Sequence, residues 1–214
     1  MQKIAVEFEK ESGHKVNLSY GSTGKFYAQI KNGAPFNILL AADDETPLKI
    51  EKEGFGVSGT RFTYAIGKLV LWSKQIGFVD ANGDVLKQNK FKKIAIADPK
   101  LAPYGQAAIE TLNNLGLTNQ LSSKFVQGEN IGQTYQFVST ENAQLGFVAL
   151  SQVFADGKIK EGSAWFVPSK LHTPIKQDAI LLNNAKYNVG AIALMNYLRS
   201  EKARTIIRSF GYDL

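Results

Sequence analysis

The stretch Phe62-Thr63-Tyr64-Ala65-Ile66-Gly67-Lys68-Leu69-Val70-Leu71-Trp72-Ser73 decides the fold. It reads as one long strand, rich in aromatic and β-branched residues, and it exceeds what the core of a single small sheet needs. Such a strand can pass from one domain into another. Residues 174–182 are again long and strand-like, and can carry the chain back. Between the two lies an α/β series: the apolar strand Ile94-Ala95-Ile96-Ala97, helical patterns near 105–115, 119–126 and 132–140, and strands at 146–150 and 165–167.

Towards the N-terminus, Met1, Ile4, Ala5 and Phe8 fall at helical spacing, so the chain opens inside a helix that Gly13 ends. Lys15-Val16-Asn17-Leu18-Ser19-Tyr20 alternates polar and apolar residues, which predicts a half-buried strand. Gly21-Ser22-Thr23-Gly24 is a turn, and 25–31 is a helix with Phe26, Tyr27 and Ile30 among its buried positions. Residues 37–41 form a short apolar strand covered on both faces, and 47–53 form a helix closed by Gly54. Towards the C-terminus the pattern is purely helical, over 185–198 and then 201–209, with Ser200 as N-cap and Gly211 as stop. This alternation implies an α/β fold with mainly parallel sheets flanked by helices. Two long strands around a central block imply a discontinuous first domain, residues 1–66 plus 175–214, with a second domain, 67–174, inserted.

The bulk numbers exclude several function classes. The chain has 214 residues, 44% of them hydrophobic and 21% charged, and its longest apolar runs, such as 37–42, are strand-sized. None approaches the roughly 20 apolar residues that cross a bilayer, so no membrane insertion is expected. The net charge of +6 is spread over Lys residues interleaved with Asp and Glu. That is a solvated, mildly basic surface rather than a nucleic-acid interface. There is no cysteine, hence no disulfide framework or thiolate chemistry, and His14 and His172 alone do not make a zinc site. The amphipathic opening is not a signal peptide.

Three strand-to-helix turns are placed for binding: Gly21-Ser22-Thr23-Gly24, residues 98–105, and Glu129-Asn130-Ile131-Gly132. Helix N-termini offer unpaired N–H groups and partial positive charge, glycine lets a ligand approach the backbone, and ligands of open α/β sheets bind beyond the carboxyl ends of strands. Each turn alone also reads as an ordinary capped helix start. Enzymatic alternatives fail on residue identity. Gly21-Ser22-Thr23-Gly24-Lys25 approaches a phosphate-binding loop, but residue 19 is Ser where its first glycine belongs, and residue 26 is Phe where Ser or Thr would hold magnesium. Residue 20 is Tyr, not the Gly of a hydrolase nucleophile elbow. Asp43-Asp44-Glu45 reads as a cap for the following helix rather than a cation site. Tyr20, Tyr27, Tyr64 and Tyr104 lack the adjacent pair that ferric-ion binders use, and read as packing residues.

The succession Gly21-Ser22-Thr23-Gly24-Lys25, Tyr27-Ala28-Gln29-Ile30, Asn32-Gly33-Ala34-Pro35, Ala41-Ala42-Asp43, then the stretch from Arg61 to Trp72, Asp98-Pro99 with Ala102-Pro103-Tyr104-Gly105, Leu145-Gly146-Phe147-Val148 and Phe210-Gly211-Tyr212 resembles the periplasmic molybdate-binding proteins along the whole chain. The resemblance implies a two-domain periplasmic-binding-protein (type II) architecture with the ligand cleft between the domains. It implies a solute-binding protein without enzymatic activity or cofactor, which delivers molybdate or tungstate to the membrane permease of an ABC transporter. It also implies which donors grip the oxyanion: Thr23 with its hydroxyl and backbone N–H, Ser22 beside it, and the backbone N–H groups of Tyr104 and Ile131. Alternatives are a sensor or regulatory oxyanion-binding domain, for which no DNA-binding helix-turn-helix is visible, and a binder of another oxyanion such as sulfate. Family members begin with a signal peptide and a first strand whose polar loop adds donors. By resemblance the chain is N-terminally truncated, with weak or no binding expected where a periplasmic full-length parent binds well.

Overall fold

The opening helix forms because Ile4, Ala5 and Phe8 make one buried stripe, and it ends where Gly13 adopts the left-handed conformation at φ 73°. The computed structural model describes residues 1–155 and 157–214. They divide into two units, Met1–Ile66 with Lys176–Ser209 and Asp213–Leu214, and Gly67–Ile175 with Phe210–Tyr212.

Unit 1 contains α1 (Gln2–Ser12), α2 (Thr23–Lys31), β1 (Ile38–Leu40), α3 (Glu45–Lys52) and β2 (Phe62–Gly67). The alternation at 15–20 is real, with Val16 and Leu18 half-buried between exposed neighbours, but the segment is not a strand. No partner strand among the described residues completes a ladder there, and an extended segment without one is not a sheet member. The stretch at 62–73 is two strands rather than one. It is interrupted at Lys68, whose carbonyl accepts a hydrogen bond from Leu150 N–H at 2.9 Å.

Unit 2 runs from β3 (Leu69–Ser73) through α4 (Val85–Gln88), β4 (Ile94–Ala97), α5 (Pro103–Asn114), α6 (Thr118–Leu121), β5 (Phe125–Gly128), α7 (Ile131–Ser139), β6 (Leu145–Ala149), α8 (Leu150–Val153), the short hairpin β7 (Phe154–Ala155) and β8 (Lys158–Ile159), and β9 (Ser163–Phe166). Its five-stranded sheet has the order β5-β4-β6-β3-β9. β4 pairs in parallel with β5 and β6, and β3 pairs antiparallel with β6 and β9. The helix expected over 119–126 stops at Leu121. After one 3-10 turn at Ser122–Lys124, Phe125 enters β5, because Phe and Val gain more beside the buried β4 than in a further helical turn. Val70, Trp72, Ala95, Val138, Val148 and Leu150 pack into one core cluster on this sheet.

The chain returns to unit 1 through β10 (Ile175–Leu181), which lies between β1 and β2 in a three-stranded sheet and pairs antiparallel with β1. Leu39, Ala41, Ile50, Ile180 and Leu182 form a core there with Ile30. Asp178, fully buried on β10, accepts hydrogen bonds from Arg61 Nη1 at 2.5 Å and Thr63 Oγ1 at 2.6 Å. The helical C-terminal segment is α9 (Val189–Tyr197) and α10 (Glu201–Ser209). α9 starts later than the pattern at 185 suggested, because Asn188 caps it by accepting from Ala191 N–H at 3.0 Å. The fold class is α/β, with helices against a mixed sheet in unit 2 and a small sheet in unit 1.

Candidate functional site

Three helix starts are candidates, α2 after an extended segment and α5 and α7 after the carboxyl ends of β4 and β5, and each is built by different local chemistry. Ser22 is the N-cap of α2, in an extended conformation, and its carbonyl accepts from Phe26 N–H at 3.1 Å. An N-cap serine ordinarily turns its hydroxyl onto the second or third N–H of the helix. Here it does not, and Oγ of Ser22 is buried with no hydrogen-bond partner among the described residues. A buried hydroxyl left this way costs about 1–3 kcal/mol, so its retention points to a ligand. Thr23, 6% exposed, is used differently. Its Oγ1 accepts from Ala42 N–H at 3.1 Å, fixing the start of α2 to the residues that follow β1, and its hydroxyl hydrogen can still be donated.

In unit 2, β4 and β5 are parallel neighbours paired Ala97 to Gly128, and Asp98 N–H continues the ladder onto Gly128 C=O at 2.8 Å. The turns that follow them therefore open at one end of one sheet. After β4, Asp98 C=O accepts from Ala102 N–H and its Oδ1 from Lys100 N–H, closing the turn on itself. Pro103 occupies the first helical position of α5, where its missing N–H is no loss, so Tyr104 carries the first N–H of the helix. Gly105 is required there: a Cβ on it would lie 2.3 Å from Ala97 O. After β5, Asn130 caps α7 by accepting from Gln133 N–H at 3.0 Å, and Gln133 Oε1 in turn accepts from Glu129 N–H at 2.6 Å. Ile131 and Gly132 then present the leading N–H groups. The Asn130 carbonyl, at the other end of the Ile131 peptide, accepts from both N and Oγ1 of buried Thr134, which polarises that N–H.

No Asp or Glu stands in the first turn of α2, α5 or α7, so within those turns no carboxylate opposes an anion at the positive end of the helix. Among the described residues, no group of three His, Cys, Asp or Glu is placed to hold a metal ion. Asp43 accepts from Thr46 N–H at 2.7 Å and thereby caps α3, although burial pushes its carboxyl above the usual range. What the arrangement can do is accept a compact ligand that takes hydrogen bonds and carries negative charge.

The sequence profile of the bacterial extracellular solute-binding proteins matches residues 1–213. The chain belongs to that family. Over 214 residues this solute-binding protein is 58% identical to the molybdate-binding protein ModA of Azotobacter vinelandii, covering 100% of this chain and 85% of that one. It is 47% identical over 211 residues to the ModA of Rhodobacter capsulatus, covering 99% and 82%. The solved periplasmic molybdate-binding protein of Azotobacter vinelandii matches with a TM-score of 0.96 at 42% identity, over 100% of this chain and 93% of the other. The sulfate-binding protein SubI of Mycobacterium tuberculosis, at 10% identity and a TM-score of 0.78, shares the fold.

In this solute-binding protein, Ser22 and Thr23 stand together on unit 1, and Tyr104 and Ile131 stand on adjacent helix starts of unit 2. Tyr27 donates to both carboxylate oxygens of Glu53, and Tyr64 reaches Gln177 Oε1 and Ala41 O, so each is engaged in packing contacts. Sequence reasoning did not find Thr134, Ser151, Gln152 and Tyr212, which support the turns of unit 2. Only Tyr212 lies in a quoted motif, Phe210-Gly211-Tyr212, and that motif gave it no role, since all four reach the turns only through the tertiary fold.

Proposed function

We propose that this solute-binding protein carries a tetrahedral oxyanion, molybdate or tungstate, to the permease of an ABC transporter, with units 1 and 2 as its two domains. The observation that carries the reading is the buried, unpartnered hydroxyl of Ser22 at the start of α2. That hydroxyl can donate to a ligand that accepts, and the leading N–H groups of α2, α5 and α7 can only donate. A fully deprotonated tetrahedral dianion accepts at every oxygen, whereas hydrogen phosphate must also donate and would turn a hydroxyl of this set from donor to acceptor. Ser22 and Thr23 from unit 1, with the N–H groups of Tyr104 and Ile131 from unit 2, serve as the donors, and helix dipoles stand in for cationic side chains.

The names of the relatives support molybdate as cargo. The substrate-binding domain of a putative molybdenum ABC transporter from Clostridium difficile, matched at 29% identity with a TM-score of 0.72, supports the transporter partner. The cargo is a ligand and not a cofactor. The protein works in the periplasm, where it carries its cargo without transforming it. Tungstate, with the same shape and charge, fits the same donors. Sulfate is smaller and would leave the hydrogen bonds stretched.

Thermal unfolding of the chain with molybdate, tungstate, sulfate and phosphate tests the reading. A ligand at about 1,000 times its dissociation constant stabilises by roughly 4 kcal/mol. For a chain of this size that raises the melting temperature by on the order of ten degrees. Because the donors named above are all in place, the expected result is a rise with molybdate and tungstate and little with sulfate, in contrast to the weak or absent binding that the resemblance implied. Equal rises with all four anions, or none with any, would overturn it.

A further inference from the structure

One turn of helix, α8, touches both donor turns of unit 2 and belongs to neither. Its Gln152 spans two elements. Oε1 accepts from Ala149 N–H at the end of β6, at 3.0 Å, and Nε2 donates to the carbonyl of Ile131 at 3.0 Å. That carbonyl belongs to the peptide whose other end is Gly132 N–H. Gln152 therefore fixes the plane of the peptide behind the first two N–H groups of α7 and polarises the second. The preceding residue acts on the other turn. Ser151 Oγ shares a hydrogen bond of 2.8 Å with Tyr212 Oη, and Tyr212 also hydrogen bonds to the side chain of Tyr104, a residue of the first turn of α5. Burial of Tyr212 pushes its phenol above the usual range, so the hydroxyl stays neutral and keeps its bonds.

These contacts have alternatives that would cost the fold little. Gln152 is half-buried in a helix of four residues that its Oε1 caps by accepting from Ala149 N–H, and that cap would stand with Nε2 left to solvent. Instead its amide is used at both ends, with a geometry that ties α7 to β6. Tyr212 comes from the far end of the sequence, and Asp213 next to it returns to unit 1, pairing with Ile66. Adjacent residues on one rigid turn thus reach the two helix starts through separate hydrogen-bonded arms.

We propose that α8 is the positioning element of the oxyanion site, with Gln152 setting the Ile131–Gly132 peptide at the start of α7 and Ser151, through Tyr212, anchoring the side chain of Tyr104, whose N–H leads α5. The inference rests on the oxyanion reading above and extends it to residues that do not touch the ligand. A donor must lie within a few tenths of an ångström of its place to bind a small rigid anion well, so loosening either arm weakens affinity without removing any donor.

The test uses Q152M, which keeps the volume of the side chain but neither hydrogen bond, and Y212F, which loses only the hydroxyl. Calorimetric titration with molybdate is expected to show each variant weakened about tenfold, as for supporting residues around other bound ions. The double variant is expected to be weakened about a hundredfold, because the arms act on separate turns. The ligand-free amide spectrum supplies a readout that a general loss of stability would not give: Q152M shifts the Gly132 N–H signal and leaves that of Tyr104, and Y212F does the reverse. Molybdate binding by the unaltered chain together with unweakened binding by both variants would overturn the positioning role alone. Failure of the unaltered chain to bind any oxyanion would overturn the oxyanion reading, and the positioning role with it.

Discussion

Ser22 and Thr23 are neighbours with hydroxyls in opposite situations, and this separates binding from stability at single residues. Ser22 Oγ has no partner among the described residues, while Thr23 Oγ1 is engaged by Ala42 N–H. Ser22→Ala removes an unsatisfied buried group. The ligand-free chain is expected to be as stable as before, or slightly more so, while molybdate affinity falls about tenfold with the lost hydrogen bond to a charged ligand. Thr23→Val leaves a backbone N–H without its acceptor and is expected to cost about 1–2 kcal/mol in the absence of ligand. Denaturant titration without ligand and calorimetry with molybdate measure the two quantities on the same samples. A Ser22→Ala chain that loses stability and keeps affinity would contradict this assignment. Both residues stood out in the sequence as members of a polar turn. Which hydroxyl was idle could not be read there, because it depends on rotamers and on Ala42, nineteen positions away.

At the scale of elements, α3 shows how a carboxylate cluster resolves into a cap. Asp43 is held above the usual carboxylate range chiefly by burial, against the hydrogen bonds from Thr46 that favour its ionised form. A raised carboxyl contributes stability that is complete below its unfolded value of about 3.9 and is lost as pH rises through its folded value. Asp43→Asn keeps an oxygen to accept from Thr46 N–H and removes the buried charge. It is expected to stabilise the chain near neutral pH, with the gain fading as pH falls to about 4. Unfolding free energies at the two pH values check this, and a gain that grew towards acid would refute it. The sequence placed most helices by their apolar spacing, as with Ile4, Ala5 and Phe8, because that period belongs to one chain segment alone. It misplaced 15–20 and 119–126, where strand or helix is decided by whether a partner strand lies alongside.

At the scale of the whole molecule, the proposed donors divide between the units, so the oxyanion reading requires that damage to either unit weaken binding. Ile131→Pro offers a narrow lesion. The first position of a helix tolerates proline, and Asn130 before it is already extended, so the substitution removes mainly the N–H. Its molybdate affinity is expected to fall at least about tenfold with a change of stability under about 1 kcal/mol, comparable to the loss from Ser22→Ala on the other unit. Titration of both variants decides the point: normal affinity in Ile131→Pro would remove the Ile131 N–H from the site.

The amino-acid sequence by itself determined the α/β class, the extended character of 62–73 and 174–182, and the three polar turns that start α2, α5 and α7. All of these depend on spacing, turn chemistry and helix capping, which are local. The tertiary structure alone decided that 62–73 breaks at Lys68, that residues 125–128 form a strand against β4, and that Phe210–Tyr212 belong to unit 2. It alone brought Gln152 to the carbonyl of Ile131 and Tyr212 to Ser151. Those contacts join residues 21 and 61 positions apart, and a hydrogen bond across such a distance leaves no periodic trace in the chain that forms it.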